Sequence, residues 1–262
     1  MKLNSANINV MIKACRKASK ILIRDFGEIE NLQVSLKGPG DFVSAADKKV
    51  EKILIEELQK ARPDYSILSE EIGLIDNDKS FKWIIDPIDG TANFLHGIPH
   101  FAISIGLEHD KEIICGIIYD PIKDEMFVAE KGNGSYLNNQ RMRVSSRSKL
   151  KDCMIFTGGP KITSENKELS LKEYNNFSST VLVPIRKLGS AALDMAYVAA
   201  GRCDGFWQRN LNYWDIAAGI ILVKESGGFV TDFDGENDYI QNKTILVTNS
   251  KINKEMIEVL NK

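Results

Sequence analysis

The chain has 262 residues, 43% hydrophobic and 27% charged, enough apolar surface for a packed core of one α/β body or two lobes, which excludes a disordered chain or a disulfide-stapled scaffold. Lys and Arg number 34 against 36 Asp and Glu, a net charge of -2, so no excess of positive charge is available for general nucleic-acid binding. Cys15, Cys115, Cys153 and Cys203 stand far apart with no C-x-x-C pair, the pattern of reduced thiols in a cytoplasm, and no stretch approaches the roughly 18 apolar residues of a membrane helix.

Ile8, Met11, Ile12, Cys15, Ala18, Ser19 and Leu22 recur at three and four residues and predict an amphipathic helix ending near Phe26-Gly27, laid across a sheet. Lys13, Arg16, Lys17 and Lys20 interrupt it before any signal-peptide apolar run can form, so no export is expected. Lys37-Gly38-Pro39-Gly40-Asp41 is a turn-rich hinge. A second helix is predicted from about Ala45 to Ala61, with Val50, Ile53, Leu54, Glu57 and Leu58 on its inner face and Pro63 ending it.

From Phe81 the texture changes to short apolar runs. Trp83 to Ile85, Phe101 to Leu107 in alternation, Ile113 to Tyr119 and Met126 to Ala129 read as strands of one mixed sheet. The basic stretch Arg141 to Lys151 crosses into a second lobe, which divides the chain into residues 1–145 and 146–262. In the second lobe a strand near Met154 to Thr157, a polar loop, a strand near Thr180 to Pro184, and helices from about Ala191 to Ala200 and Asp215 to Ser226 are predicted. Gly201 and Gly227-Gly228 sit where glycines stop helices.

The chemistry concentrates in Trp83-Ile-Ile-Asp86-Pro87-Ile88-Asp89-Gly90-Thr91-Ala92-Asn93-Phe94, where an apolar strand runs into two carboxylates. Acids at a strand's carboxyl end stand where open α/β sheets place ligands. Two carboxylates about 4 Å apart repel by roughly 4 kcal/mol at an effective dielectric near 20, so a cation or a shared proton is needed to hold them together. Gly90 and Thr91 form a helix entrance, whose free amides favour an anion such as phosphate. Glu70 in Ser69-Glu70-Glu71 and Asp215 after Trp214 could complete the site; taken singly, the first reads as a solvated loop acid and the second as a helix N-cap. Asp47, in Val43-Ser-Ala-Ala-Asp47, is by itself a helix-start acid. An all-oxygen donor set suits Mg²⁺ or Mn²⁺ rather than zinc.

Asp86-Pro-Ile-Asp-Gly-Thr with Asn93-Phe94, Ser-Glu70-Glu71, Ser44-Ala-Ala-Asp47 and Trp214-Asp-Ile-Ala-Ala-Gly followed by Glu225-Ser-Gly-Gly together resemble the inositol monophosphatase family of Mg²⁺-dependent, lithium-sensitive phosphatases, in its bacterial inositol-1-monophosphatase branch. The resemblance runs over nearly the whole chain in the family's order and spacing. It implies a layered α/β fold, the αβαβα sandwich of the sugar-phosphatase type, a homodimer, and hydrolysis of myo-inositol monophosphates or similar small polyol phosphates. It further implies that Glu70, Asp86 and the Ile88 carbonyl hold one Mg²⁺, that Asp86, Asp89 and Asp215 hold a second, and that Glu70 shares a third through water. Thr91 and Asp47 would orient and deprotonate the attacking water, and the Gly90 and Thr91 amides would hold phosphate oxygens.

Leu188-Gly189-Ser190-Ala191-Ala192 and Gly205-Phe206-Trp207-Gln208-Arg209 match the positions lining the alcohol part of the substrate, so Gly189, Ser190, Ala191, Gln208 and Asp215 are the expected contacts there. Inositol-phosphate members usually carry a glutamate where Gln208 stands, a departure that removes a charge and should loosen the grip on a sugar hydroxyl. The same metal chemistry could act on fructose 1,6-bisphosphate, 3'-phosphoadenosine 5'-phosphate or histidinol phosphate. A non-catalytic partnership with the transcription or ribosome-assembly machinery is the reading from a different class. His96 and His100 read as structural or solvent-facing, Phe206 and Trp207 as core or dimer-interface aromatics. Lys37 is either an exposed hinge lysine or a cation near the metal-site loop, and Arg186-Lys187 either surface charge or a positive field for an anionic substrate.

Overall fold

A computed structural model describes residues 5–28, 34–38, 41–159 and 167–262. Helix α1 (Ala6–Phe26) is capped by Ser5, whose side chain accepts from the Ile8 amide at 3.3 Å, and buries Ile8, Met11, Cys15, Ala18 and Leu22 as the periodicity requires. A two-stranded pair, β1 (Val34–Gly38) and β2 (Asp41–Ser44), leads into α2 (Ala45–Ala61). Pro39 and Gly40 of the expected hinge, and the side chain of Lys37, lie outside what is described. The inner face of α2 differs from expectation: Ile53 and Glu57 are only half-buried, Glu57 pairing with Lys13 and Lys17 of α1 at 2.9 and 2.8 Å. Val50, Leu54 and Leu58 face inward as expected, and Ala46, Asp47 and Glu51 join them in place of Ile53 and Glu57. Two carboxylates on a buried helix face depress the apolar signal that sequence periodicity relies on.

Eight strands form the main sheet. In spatial order they are β10 (Gln140–Arg141), β9 (Gly134–Leu137), β8 (Glu125–Glu130), β7 (Glu112–Asp120), β6 (Ala102–His109), β5 (Asp78–Asp89), β3 (Tyr65–Ser69) and β4 (Gly73–Ile75). The β3–β5 pair is parallel and the rest antiparallel, so the sheet is mixed as predicted. Its residues alternate between two cores: Trp83, Ile85, Ile103 and Ile105 pack against α1 and α2, while Ile84, Ala102 and Ile118 face the other way.

On that other face lie α5 (Ala191–Ala199) and α6 (Tyr213–Glu225), covered in turn by a four-stranded sheet ordered β11 (Ile155–Thr157), β12 (Gly205–Arg209), β14 (Thr244–Thr248) and β13 (Phe229–Thr231). Every residue of α6 from Ile216 to Val223 is buried, the all-round apolar surface expected of a helix held between two sheets. Gly106 and Gly116 allow it close: a Cβ on Gly106 would meet Ala217 Cβ at 3.0 Å, and one on Gly116 would meet Ala218 O at 2.7 Å. The outer face of the small sheet, Trp207 and Leu246, packs against α4 (Lys167–Thr180) and α7 (Asn253–Leu260) through Phe177 and Met256. The layers therefore run helix, sheet, helix, sheet, helix, the αβαβα sandwich.

Two assignments in the second half are corrected. The expected polar loop contains α4, whose buried face offers only Ser170, Glu173 and Phe177 and so lacks an apolar stripe. The strand expected near Thr180 to Pro184 does not form: the helix runs to Thr180, Leu182 is 76% exposed, and its amide is taken by Lys151 O at 2.8 Å. The outer edge of β11 is met two residues beyond Pro184 instead, through a single bridge from Phe156 to Arg186, with the Arg186 amide donating to Ile155 O at 3.1 Å and the Thr157 amide to Arg186 O at 3.0 Å.

Candidate active site

Strand β5 carries the first two acids within its last turn of pleat rather than beyond its end. Pro87 cannot donate to the ladder, and the register against β6 shifts between Asp86 and Asp89, a bulge that re-aims side chains. Asp86 Oδ1 accepts from the Ile88 amide at 3.0 Å. Gly90, at φ 95°, then turns the chain into the single helical turn α3 (Thr91–Leu95). Only glycine fits, for a Cβ there would lie 3.1 Å from His100 O and 3.2 Å from Gly189 O.

That close approach joins the two halves of the chain. Asn93 Nδ2 donates to His100 O at 2.8 Å and to Leu188 O at 2.7 Å, fastening the loop before α5 onto the turn after β5. Asp89 is reached from the same side. Its Oδ2 accepts from the Ser190 hydroxyl and from the Ala192 amide at 2.8 Å, while Ser190 Oγ also caps α5 by accepting from Leu193 N. The Ser190 side chain thus orients an acid and caps a helix.

Asp215 arrives from the first turn of α6, which begins at Tyr213, two residues earlier than the sequence suggested. Its Oδ2 accepts from the Asn212 amide at 2.7 Å, the reciprocal bond of a capping box. Among the described residues, Asp86, Asp89 and Asp215 each offer a carboxylate oxygen within 4.8 Å of the others. Glu70, in the turn after β3, stands outside that trio but lines the same cavity. Burial raises the Asp86 carboxyl well above the usual range, and the negative charges of Glu70, Asp89, Asp215 and Asp47 add to it. Burial likewise pushes Asp89 up to about 6, opposed by the hydrogen bonds from Ser190 and Ala192.

Thr91 Oγ1 donates to Ile88 O at 2.9 Å and lies 3.4 Å from Asp47 Oδ1, so Asp47, 1% exposed on α2, reaches the β5 turn. The cavity, about 570 Å³, is lined by Glu70, Asp86, Ile88, Asp89, Gly90, Thr91, Gly189, Ser190, Ala191, Gln208 and Asp215: all the expected site residues except Asp47, which touches it through Thr91. Gln208 is held against Gly158, where a Cβ would fall 2.1 Å from Gln208 Oε1.

The far wall was not foreseen. It is built by Ser170, Glu173 and Tyr174 of α4 together with Arg209, whose Nε donates to Glu173 Oε1 at 2.6 Å. Arg209 was visible beside Gln208, but its partner lies on the helix read as a loop. Phe206 and Trp207 are core, 0% and 2% exposed, with Trp207 stacked on Phe177. Arg186 bonds Pro184 O and Lys187 sits over the Tyr174 ring.

Three carboxylate oxygens within 4.8 Å repel by roughly 3 kcal/mol per pair at an effective dielectric near 20. Two of these acids are nearly fully buried. Such a donor set fits a hard, oxygen-seeking divalent cation, and the adjoining polar cavity fits an anionic ligand bound through it.

The profile of the inositol monophosphatase family matches residues 4–262. The chain is 50% identical over 259 residues to a protein of Mesorhizobium japonicum named inositol-1-monophosphatase, covering 98% of this chain and 97% of that one. It is 38% identical over 251 residues to the Nus factor SuhB of Pasteurella multocida, covering 95% and 94%. A crystal structure of the extragenic suppressor protein suhB from Bartonella henselae, 52% identical, superposes with a TM-score of 0.96 over 98% of this chain and 99% of its own. Matched along its length and carrying its acids at one cavity, the chain belongs to the inositol monophosphatase family of metal-dependent phosphoric monoester hydrolases.

Proposed function

We propose that the protein hydrolyses myo-inositol monophosphates, or closely similar small polyol phosphates, using Mg²⁺, as a cytoplasmic homodimer. The observation that carries the reading is the convergence of Asp86, Asp89 and Asp215 from two separate elements onto one cavity that also presents Glu70 and Gln208. Glu70, Asp86 and the Ile88 carbonyl would hold one Mg²⁺, Asp86, Asp89 and Asp215 would hold a second, and Glu70 would share a third through water, with Mn²⁺ able to substitute. When bound, the cations supply positive charge for the phosphate and leaving group and make an attacking water more acidic.

The chain's own groups do the rest. Thr91 Oγ1 would accept the water's proton while its own hydroxyl proton, turned from Ile88 O to Asp47 Oδ1 3.4 Å away, passes to that carboxylate. The Gly90 and Thr91 amides hold phosphate oxygens at the start of α3. Gly189, Ala191, Gln208 and Asp215 surround the alcohol, and Ser190 serves it through Asp89.

Phosphate release from inositol 1-phosphate should require added Mg²⁺, and Asp89→Asn should lower turnover at saturating Mg²⁺ by about 100-fold or more, the scale of losing one charge-stabilising group. Wild-type turnover in Asp89→Asn would end the metal assignment. Similarity to a protein named Nus factor supports a second reading, a role in the transcription or ribosome-assembly machinery. A phosphatase-dead Asp89→Asn chain that rescued a deletion strain would favour it.

A further inference from the structure

We propose that Glu51 is a positioning residue for Glu70: from the buried face of α2 its carboxylate fixes the turn that presents Glu70, and so sets the affinity of the site for its divalent cation. The inference rests on the phosphatase reading above. Glu51 is 1% exposed. Its Oε1 accepts from the Ser69 hydroxyl, from the Glu71 amide at 3.0 Å and from the Ile72 amide at 3.3 Å. The Glu70 amide itself goes to Ile85 O of β5 at 3.3 Å, one residue before Asp86. Each amide of the turn between β3 and β4 is thereby assigned, and Glu70 is fixed between a helix on one side and the strand bearing two more acids on the other.

The chemistry of Glu51 suits that task. An ionised carboxylate only accepts, and its hydrogen bonds from neutral donors are about twice as strong as neutral ones. A negative group buried near further acids is costly, so its position behind this turn is explained by the three donors it gathers. Asp47 lies one helical turn earlier on the same face of α2, also 1% exposed, and contacts Thr91. One helix face therefore sets the spacing of both loops, the β3 turn through Glu51 and the β5 turn through Asp47.

The test measures Mn²⁺ binding by calorimetry on the full chain, and the Mg²⁺ half-saturation of phosphate release, for wild type, Glu51→Gln, Ser69→Ala and Glu70→Gln. Glu51→Gln should weaken Mn²⁺ binding about tenfold or more, the effect expected of a residue orienting a metal ligand. It should raise Mg²⁺ half-saturation in proportion, while kcat at saturating Mg²⁺ changes by a smaller factor. Ser69→Ala should shift both in the same direction. A role confined to the fold would lower Tm and leave Mn²⁺ affinity alone, and wild-type affinity in Glu51→Gln overturns the proposal. Should Glu51→Gln fail to fold, unchanged affinity in Ser69→Ala overturns it instead. Weakened binding in Glu70→Gln with none in Glu51→Gln refutes this inference alone; wild-type affinity in Glu70→Gln refutes the site reading with it.

Discussion

Replacing Asn93 by alanine removes a side chain that ties α3, just after β5, to the loop before α5. Two hydrogen bonds are lost, at 2.8 Å to His100 O and 2.7 Å to Leu188 O. Each contributes about 1 kcal/mol net, and carbonyls left without a donor in a part-buried site add to the cost, so a loss of about 2–3 kcal/mol is expected. At roughly 2–4 °C per kcal/mol for a chain of this size, Tm should fall by about 4–12 °C. Gly189 packs on Asn93, a Cβ there meeting Nδ2 at 2.9 Å, so the Gly189-Ser190 segment should also loosen and weaken the hold of Ser190 on Asp89. Thermal unfolding by circular dichroism reads the first effect, and KM for inositol 1-phosphate at saturating Mg²⁺ reads the second. A Tm within about 1 °C of wild type would refute the clasp.

The His100 ring is held neutral, its pKa pushed down to about 4 chiefly by burial and then by Lys123, against Asp120. An unfolded histidine titrates near 6.5, so below that pH the unfolded chain takes up a proton that the folded one refuses, and stability falls as pH drops from about 6.5 towards 4, by about 1–2 kcal/mol after allowance for partial exposure. His100→Gln should flatten the Tm profile between pH 7 and 5, whereas superimposable profiles would remove His100 from the account. Gln208→Glu places a charged acceptor in the cavity wall where the proposed function puts the alcohol; with charged hydrogen bonds contributing about 1.5–3 kcal/mol against about 1 for neutral ones, KM for inositol 1-phosphate should fall several-fold to tenfold, and an unchanged or raised KM contradicts the contact.

What the sequence discloses of this fold is what repeats locally. The stripe of α1 and the bounds of α2 were legible because apolar spacing, Pro63 and the caps act within a few residues. The strands from Trp83 to Ala129 were legible because alternation survives burial on both faces. Helix α4 was not, since its inward residues are Ser170, Glu173 and Phe177; nor was the segment from Phe229 onward assigned, where two strands and α7 pack only against distant partners. At the site, Glu70, Asp86, Asp89 and Asp215 stood out as acids at element ends. Glu51 and Glu173 did not, and Asn93 stood in the signature without its tying role, because each acts on a partner 7 to 95 residues away along the chain, a relation no local spacing encodes.

The placement of the acids also shows where their mutual repulsion is borne. Asp86 and Asp89 belong to β5 and Asp215 to α6, so their separation is fixed by how deeply α6 seats on the main sheet. That depth is set by Gly106 and Gly116, the two points where strand backbone meets the helix without an intervening side chain. Among the eight consecutive buried residues Ile216 to Val223, five large side chains, Ile216, Ile220, Ile221, Leu222 and Val223, supply about 7–15 kcal/mol of apolar burial at roughly 1.5–3 kcal/mol each, of the same size as the roughly 10 kcal/mol that three carboxylate pairs cost when all are ionised. The core positions them against their own repulsion, and the charge gathered there fits the cavity to a cation.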